Sequence, residues 1–192
     1  MNLEKMFEMQ RALDDRINKT HPVQEAENRL AKKVMAFIVE VSELANEWRG
    51  FKFWSEDQKP RTREYLTNYT EQDSVLGPGA VWKNPLLEEY VDGLHFLLSI
   101  GLEQGRTSVK LFTRPTQVNI VECFLDIYTS AVGMGIYAFA LEMDTQRAHI
   151  DYDILFNDYL SLGEVLGFTE TQIEQAYFKK NKVNHQRQED GY

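Results

Sequence analysis

Apolar residues recur along this chain at intervals of three and four, and the intervals predict helices. Leu3, Met6, Phe7, Leu13 and Ile17 follow that spacing, placing a first helix up to about Asn18, with Thr20-His21-Pro22 as its stop. Gln10 is a polar interruption on that apolar stripe. Leu30, Val34, Phe37, Val41, Leu44 and Trp48 predict a longer helix from about Gln24 to Trp48, ended by Gly50. Ile38 and Val39 widen its apolar face, so it is expected to lie at the centre of a bundle, buried on most sides. Residues 51–85 contain Pro60, Gly77, Pro78, Gly79 and Pro85 and read as a loop, with room for a short helix from Thr62 to Tyr69. Connections of this length often cover a site.

Pro85 suits the first turn of a third helix, which continues through Tyr90, Val91, Leu94, Leu97, Leu98 and Leu102 to Gly105. Arg114-Pro115 precedes an apolar helix from about Gln117 to Asp144, in which Gly133 and Gly135 permit close packing or a kink. Tyr152 to Leu160 is helical and closed by Gly163 and Gly167. Thr169 with Gln172 forms a capping box for a last helix reaching Gln188. No alternating strand pattern and no internal repeat occurs, so the fold class is all-α: one helical bundle with a long loop between its two acidic helices. The length of 192 residues fits a single domain.

Composition narrows the function. A formal charge of -9 argues against nucleic-acid coating and against binding to anionic membranes, both of which need a positive field. Cys123 is the one cysteine, which excludes an intrachain disulfide and a Cys-rich zinc site, and points to a reducing, cytoplasmic setting. Residues 1–8 lack the pattern of a signal peptide, and the apolar stretch Ile127–Leu141 is too short and too polar for a membrane span.

Charge placement is more informative than charge total. Glu40, Glu43 and Glu47 share a band roughly 60° wide on the second helix, beside its apolar stripe. The third helix carries Glu88, Glu89 and Asp92, followed by His95. Two acidic patches on two apolar helices would repel if they faced each other, and a divalent cation such as Mg²⁺, which prefers carboxylate oxygens, resolves that conflict. The alternative is a solvated acidic flank paired with Lys or Arg. The helices carry no Glu-x-x-His pair of the kind that builds di-iron centres.

The last helix is basic. Tyr177, Lys180, Asn184 and Arg187 fall along one face, where the cations could hold phosphate oxygens and the amide could read a base edge; a solvated tail is the alternative. Trp48, Phe51, Phe53, Trp54 and Trp82 offer aromatic surface for stacking, for the core or for a subunit interface. No P-loop, dinucleotide fingerprint or Gly-x-Ser-x-Gly motif is present.

The order of these segments resembles the all-α dimeric dUTPase family, itself similar to MazG-type nucleotide pyrophosphatases. Glu40-Val41-Ser42-Glu43-Leu44-Ala45-Asn46-Glu47 with Phe51-Lys52-Phe53-Trp54 looks like its first acidic motif, and Glu89-Tyr90-Val91-Asp92-Gly93-Leu94-His95-Phe96 like its second. Residues 177–188 followed by Gly191-Tyr192 look like its C-terminal substrate motif. The resemblance implies Mg²⁺-dependent hydrolysis of dUTP to dUMP and diphosphate by a homodimer, with two or more ions per site and attack at the β-phosphorus. It implies metal ligands at Glu40, Glu43, Glu89 and Asp92, with Glu40 and Glu43 also serving catalysis and Glu40 the better proton acceptor. It assigns Gln10, Lys180, Asn184, Arg187 and Tyr192 to the substrate, residues 169–192 forming a substrate-binding helix and tail; Trp54, from the aromatic set, and His95, for which a structural role is the alternative, are further substrate-binding candidates. A pyrophosphatase for another nucleotide and a non-catalytic helical scaffold are the alternatives.

Overall fold

A computed structural model of the chain describes residues 1–65, 82–112, 119–139 and 145–191. Among them lie six helices: α1 (Leu3–Thr20), α2 (Arg29–Trp48), α3 (Pro85–Glu103), α4 (Ile120–Tyr137), α5 (Thr145–Val165) and α6 (Glu170–Glu189). The fold is all-α. Two short strands, β1 (Glu64–Tyr65) and β2 (Trp82–Lys83), pair antiparallel, with Glu64 opposite Lys83 and Tyr65 opposite Trp82.

The helix starts are set by side-chain caps that satisfy otherwise orphaned backbone N–H groups. Asn2, Asn28, Asn84 and Asn119 accept from the N–H of Lys5, Ala31, Leu87 and Val121, and Thr169 makes the expected capping box with Gln172. The Asn28 cap explains why α2 begins at Arg29 and not near Gln24. Two expectations for the loop and for α5 need correction. Where a helix from Thr62 was expected, the chain forms β1, held by an ion pair between Glu64 and Lys83 at 3.0 Å and by Arg63 lying 4.0 Å over the Trp82 ring. The remainder of that expected helix, 66–69, lies outside the described residues. Gly163 does not close a helix. It sits inside α5, and the chain turns instead at Gly167, whose φ of +89° suits glycine.

α2 and α3 pack against each other most extensively; α4 covers α2 and joins α5, while α6 lies against α3 and α1. The shared core takes Val34, Phe37, Val41 and Leu44 from α2 and Tyr90, Leu94 and Leu97 from α3. α2 is less enclosed than its apolar width predicts, because Met35 and Val39 are 61% and 42% exposed. α4 starts later than Gln117 and ends at Tyr137, though 113–118 and 140–144 lie outside the described residues. It is eighteen residues long and apolar enough by composition to cross a membrane, yet its Cys123, Phe124, Ile127, Ala131 and Met134 face the core.

A reciprocal tyrosine pair locks α3 to α5. The Tyr90 hydroxyl donates to the Tyr159 carbonyl at 3.1 Å, the Tyr159 hydroxyl donates to the Tyr90 carbonyl at 2.7 Å, and the rings stack with centroids 4.7 Å apart. Each hydroxyl reaches the opposite backbone only because a glycine leaves room: a Cβ at Gly93 would lie 2.2 Å from Tyr159 Oη, and one at Gly163 would lie 2.5 Å from Tyr90 Oη. Gly93→Ala is therefore expected to destabilise the fold by about 1–3 kcal/mol through overpacking and loss of that hydrogen bond. Urea unfolding checks this, and a variant as stable as the parent would show that the pair does not hold the helices.

Candidate functional site

The packing of α2 on α3 brings the flanks of the two helices together. Glu40 from α2 and Glu89 and Asp92 from α3 each contribute a carboxylate oxygen, and these oxygens lie within 4.8 Å of one another. All three side chains are half-buried, because Val41 and Leu44 on one helix and Tyr90, Val91 and Leu94 on the other pull the neighbouring acids inward. Glu43, expected in the same set, is exposed and outside this triad, although its charge is felt by all three members. Glu47, the third acid of the predicted band, turns away and pairs with Arg61 at 3.3 Å.

The electrostatics are those of acids crowded together out of water. Burial first, then repulsion from Asp92 and Glu43, pushes Glu40 up to about 7. Glu89 is raised to about 7 by burial, then by Asp92, Glu43 and Glu40. Asp92 is raised by burial, with Lys180 opposing the shift; Lys180 Nζ lies 2.5 Å from Asp92 Oδ2. The donor set is all oxygen, spans two rigid helices and carries more negative charge than one lysine offsets. It fits a hard divalent ion such as Mg²⁺.

The triad borders a cavity of about 860 Å³ between α1, α2, α3 and α6. Glu40 and Asp92 line it, and so do Gln10, His95, Lys180, Asn184 and Arg187, five of the residues assigned from sequence to a substrate. Trp54 does not line it: the ring is 67% exposed and packs edge-on against Phe51 and Phe53. Tyr192 lies outside the described residues.

Inside the cavity wall the polar groups are buried and ordered by one another. The Tyr177 ring stacks on His95 with centroids 4.2 Å apart. Gln10 Oε1 lies 2.8 Å from His95 Nδ1 and 3.1 Å from the Tyr177 hydroxyl, while Gln10 Nε2 donates to Asp14 at 2.7 Å. Burial above all, helped by the Lys180 charge, lowers His95 to about 3, so its ring is neutral. Asp14, Lys33 and Ser99 complete this end of the cavity, with Ser99 and Lys33 both donating to Asp14. Sequence reasoning missed Asp14, although its place four residues after Gln10 on the same helix face was a usable signal.

The raised carboxylates carry a stability signature. Glu40 holds its proton to about pH 7 when folded but only to about 4.5 when unfolded, so the folded state binds more protons across that window. Its contribution to stability accordingly falls as pH rises from 4.5 towards 7 and stays low above it. Glu40→Gln should flatten that slope and, at about pH 8, raise the melting midpoint by about 2–4 °C, the shift that about 1 kcal/mol of screened repulsion produces at this chain length. Added Mg²⁺ should do the same for the unsubstituted protein. Parallel pH profiles for the two proteins would show that the acids do not repel.

None of the curated proteins compared with the chain matches it. The family model described as dUTPase matches residues 2–72 and 79–192. That span takes in all four helices that wall the cavity, and family membership implies a nucleoside triphosphate substrate. The chain belongs to the all-α, MazG-like dUTPase family.

Proposed function

We propose that this chain is a dUTP diphosphatase, hydrolysing dUTP to dUMP and diphosphate with Mg²⁺, as one catalytic domain spanning 1–192 and in the cytoplasm. The observation that carries this reading is the juxtaposition in one cavity of the Glu40 and Asp92 carboxylates with the amides of Gln10 and Asn184 and the cations of Lys180 and Arg187. A polyanion and a base have, at that place, counterparts for both ends.

Glu40, Glu89 and Asp92 would hold one ion, with Glu43 at the exposed edge available for a second. Bound there, the metal supplies charge neutralisation for the phosphates and lowers the pKa of water. The residues do the rest. Glu40, poised near neutral pH, accepts the proton of the attacking water. Lys180 and Arg187 hold phosphate oxygens, Lys180 exchanging its contact with Asp92 for one with substrate. Gln10, His95 and Asn184 address the base.

A homodimer is part of the same proposal. Val121, Leu125, Val132 and Ile136 are exposed and form one ridge along α4, an apolar stripe that a second copy would cover. Light scattering should give twice the 22.4 kDa chain mass, and Leu125→Glu with Ile136→Glu should halve it. A monomeric parent would overturn this part.

Diphosphate release from dUTP, dCTP and dTTP, with and without chelator, tests the activity. Turnover should favour dUTP and vanish on chelation, and Asp92→Asn and Glu40→Gln should each cost about 10²-fold or more in kcat with helical content retained. Full turnover in both variants would make the acidic cluster a solvated flank and end the catalytic reading.

A further inference from the structure

Gln10 is the hub of the buried wall, and its amide can be seated either way round. An amide oxygen accepts and an amide nitrogen donates, so the seating decides what every neighbour must offer. Tyr177 does not choose between the two. Its hydroxyl lies 3.1 Å from both Gln10 Oε1 and the Met6 carbonyl; it can give its proton to Met6 and accept from an amide nitrogen, or give it to an amide oxygen. His95 does not choose by its own chemistry either, because a neutral imidazole can carry its proton on either nitrogen, and the Tyr177 backbone that also favours a ring N–H does not fix which nitrogen bears it.

Asp14 does choose. Its carboxylate only accepts, and Gln10 lies 2.7 Å away, so the amide nitrogen must face it; the reverse seating would set two acceptors against each other. Asp14 is itself fixed by donors alone, the Ser99 hydroxyl at 2.5 Å and Lys33 Nζ at 3.3 Å, and Lys33 is anchored in turn by Glu103 at 2.7 Å. With Nε2 turned to Asp14, Oε1 faces His95 and requires the proton on Nδ1. That leaves His95 Nε2 bare, and this buried atom has no hydrogen-bond partner among the described residues. The second N–H of Gln10 likewise has no partner among them.

We propose that Asp14 is a positioning residue for base recognition: by orienting the Gln10 amide it sets the His95 tautomer, so that the cavity wall offers one N–H donor and one bare ring nitrogen. This rests on the uracil nucleotide reading above. A donor beside an acceptor complements the imide edge of uracil, a carbonyl beside an N–H. The corresponding edge of cytosine, an amino group beside a bare nitrogen, presents the reversed pattern and is refused. Tight discrimination follows because a wrong base leaves buried polar groups unpaired.

The near-isosteric variant Asp14→Asn tests the relay. Lys33 can only donate and shares one oxygen of Asp14 with Ser99, so the introduced amide turns its oxygen to that pair and its nitrogen to Gln10. The Gln10 amide then reverses, and the His95 proton moves from Nδ1 to Nε2. Imidazole ¹⁵N spectra of the nucleotide-free protein, assigned by the signals lost in His95→Gln, read this directly, a shift that a purely structural role for Asp14 would not produce. The ratio of kcat/KM for dUTP to that for dCTP should fall at least about tenfold in Asp14→Asn. A His95 proton that stays on Nδ1 in the variant, or one that moves without changing the ratio, overturns the proposal. So does a parent protein with its His95 proton on Nε2, a result available even if Asp14→Asn fails to fold. Absence of dUTP turnover in the parent would overturn the nucleotide reading alone, since the tautomer is measured without nucleotide.

Discussion

Three carboxylates held close on two helices that cannot move apart are the constraint around which this structure is organised. The contact between α2 and α3 is made by apolar side chains, and burying Val41, Leu44, Leu94 and Leu97 favours it strongly. Glu40, Glu89 and Asp92 flank those residues and are carried into contact by the same packing that they oppose electrostatically. Protein cations answer only part of the charge. Lys180 reaches Asp92 from α6, and this contact, with the stack of Tyr177 on His95, ties the last helix to the third. The site thus recruits the C-terminal helix through the charge that it leaves uncompensated.

α3 is fixed from its other side as well. The Tyr90 and Tyr159 hydroxyls each bond to the other residue's backbone, so α3 is held to α5 in axial position as well as in spacing. Glu89 and Asp92 stand immediately beside Tyr90 and Gly93, the residues of that lock. A helix clamped on one side by α5 and on the other by α1 and α6 presents its acids at fixed height, as preorganised metal ligands require.

What the sequence disclosed was the part written in periodic spacing. The apolar stripes located the helices, and Glu40, Asp92, His95, Lys180, Asn184 and Arg187 line one cavity because helical spacing puts them on facing flanks. Boundaries were less legible, since they depend on single caps: Asn28 and Asn119 each start a helix several residues later than the apolar pattern suggests. Tertiary pairing was hidden in another way. Nothing local distinguishes Glu47, which goes to Arg61, from Glu40, which joins the triad, because the choice is made by Arg61, fourteen residues further along the chain. Gly163 looked like a terminator because its use, admitting the Tyr90 hydroxyl, depends on a residue of another helix.

The cavity also explains how so acidic a chain can receive a triphosphate, the substrate class that its family implies. The lysines and Arg29 on its wall are already matched: Lys180 by Asp92, Lys33 by Asp14 and Glu103, and Arg29 and Lys32 by Glu27. A polyanion entering such a wall gains little from cations that must first leave their acids. It gains far more if its charge is met by ions seated on the carboxylates, because one divalent ion relieves the repulsion among the acids and the repulsion from the phosphates together. Glu40 and Glu89, each pushed up to about 7, would give up their protons to an ion bound there, and metal affinity would then rise with pH through neutrality. The charge conflict built into α2 and α3 is one that a small, doubly charged cation could satisfy and that a monovalent lysine satisfies only in part.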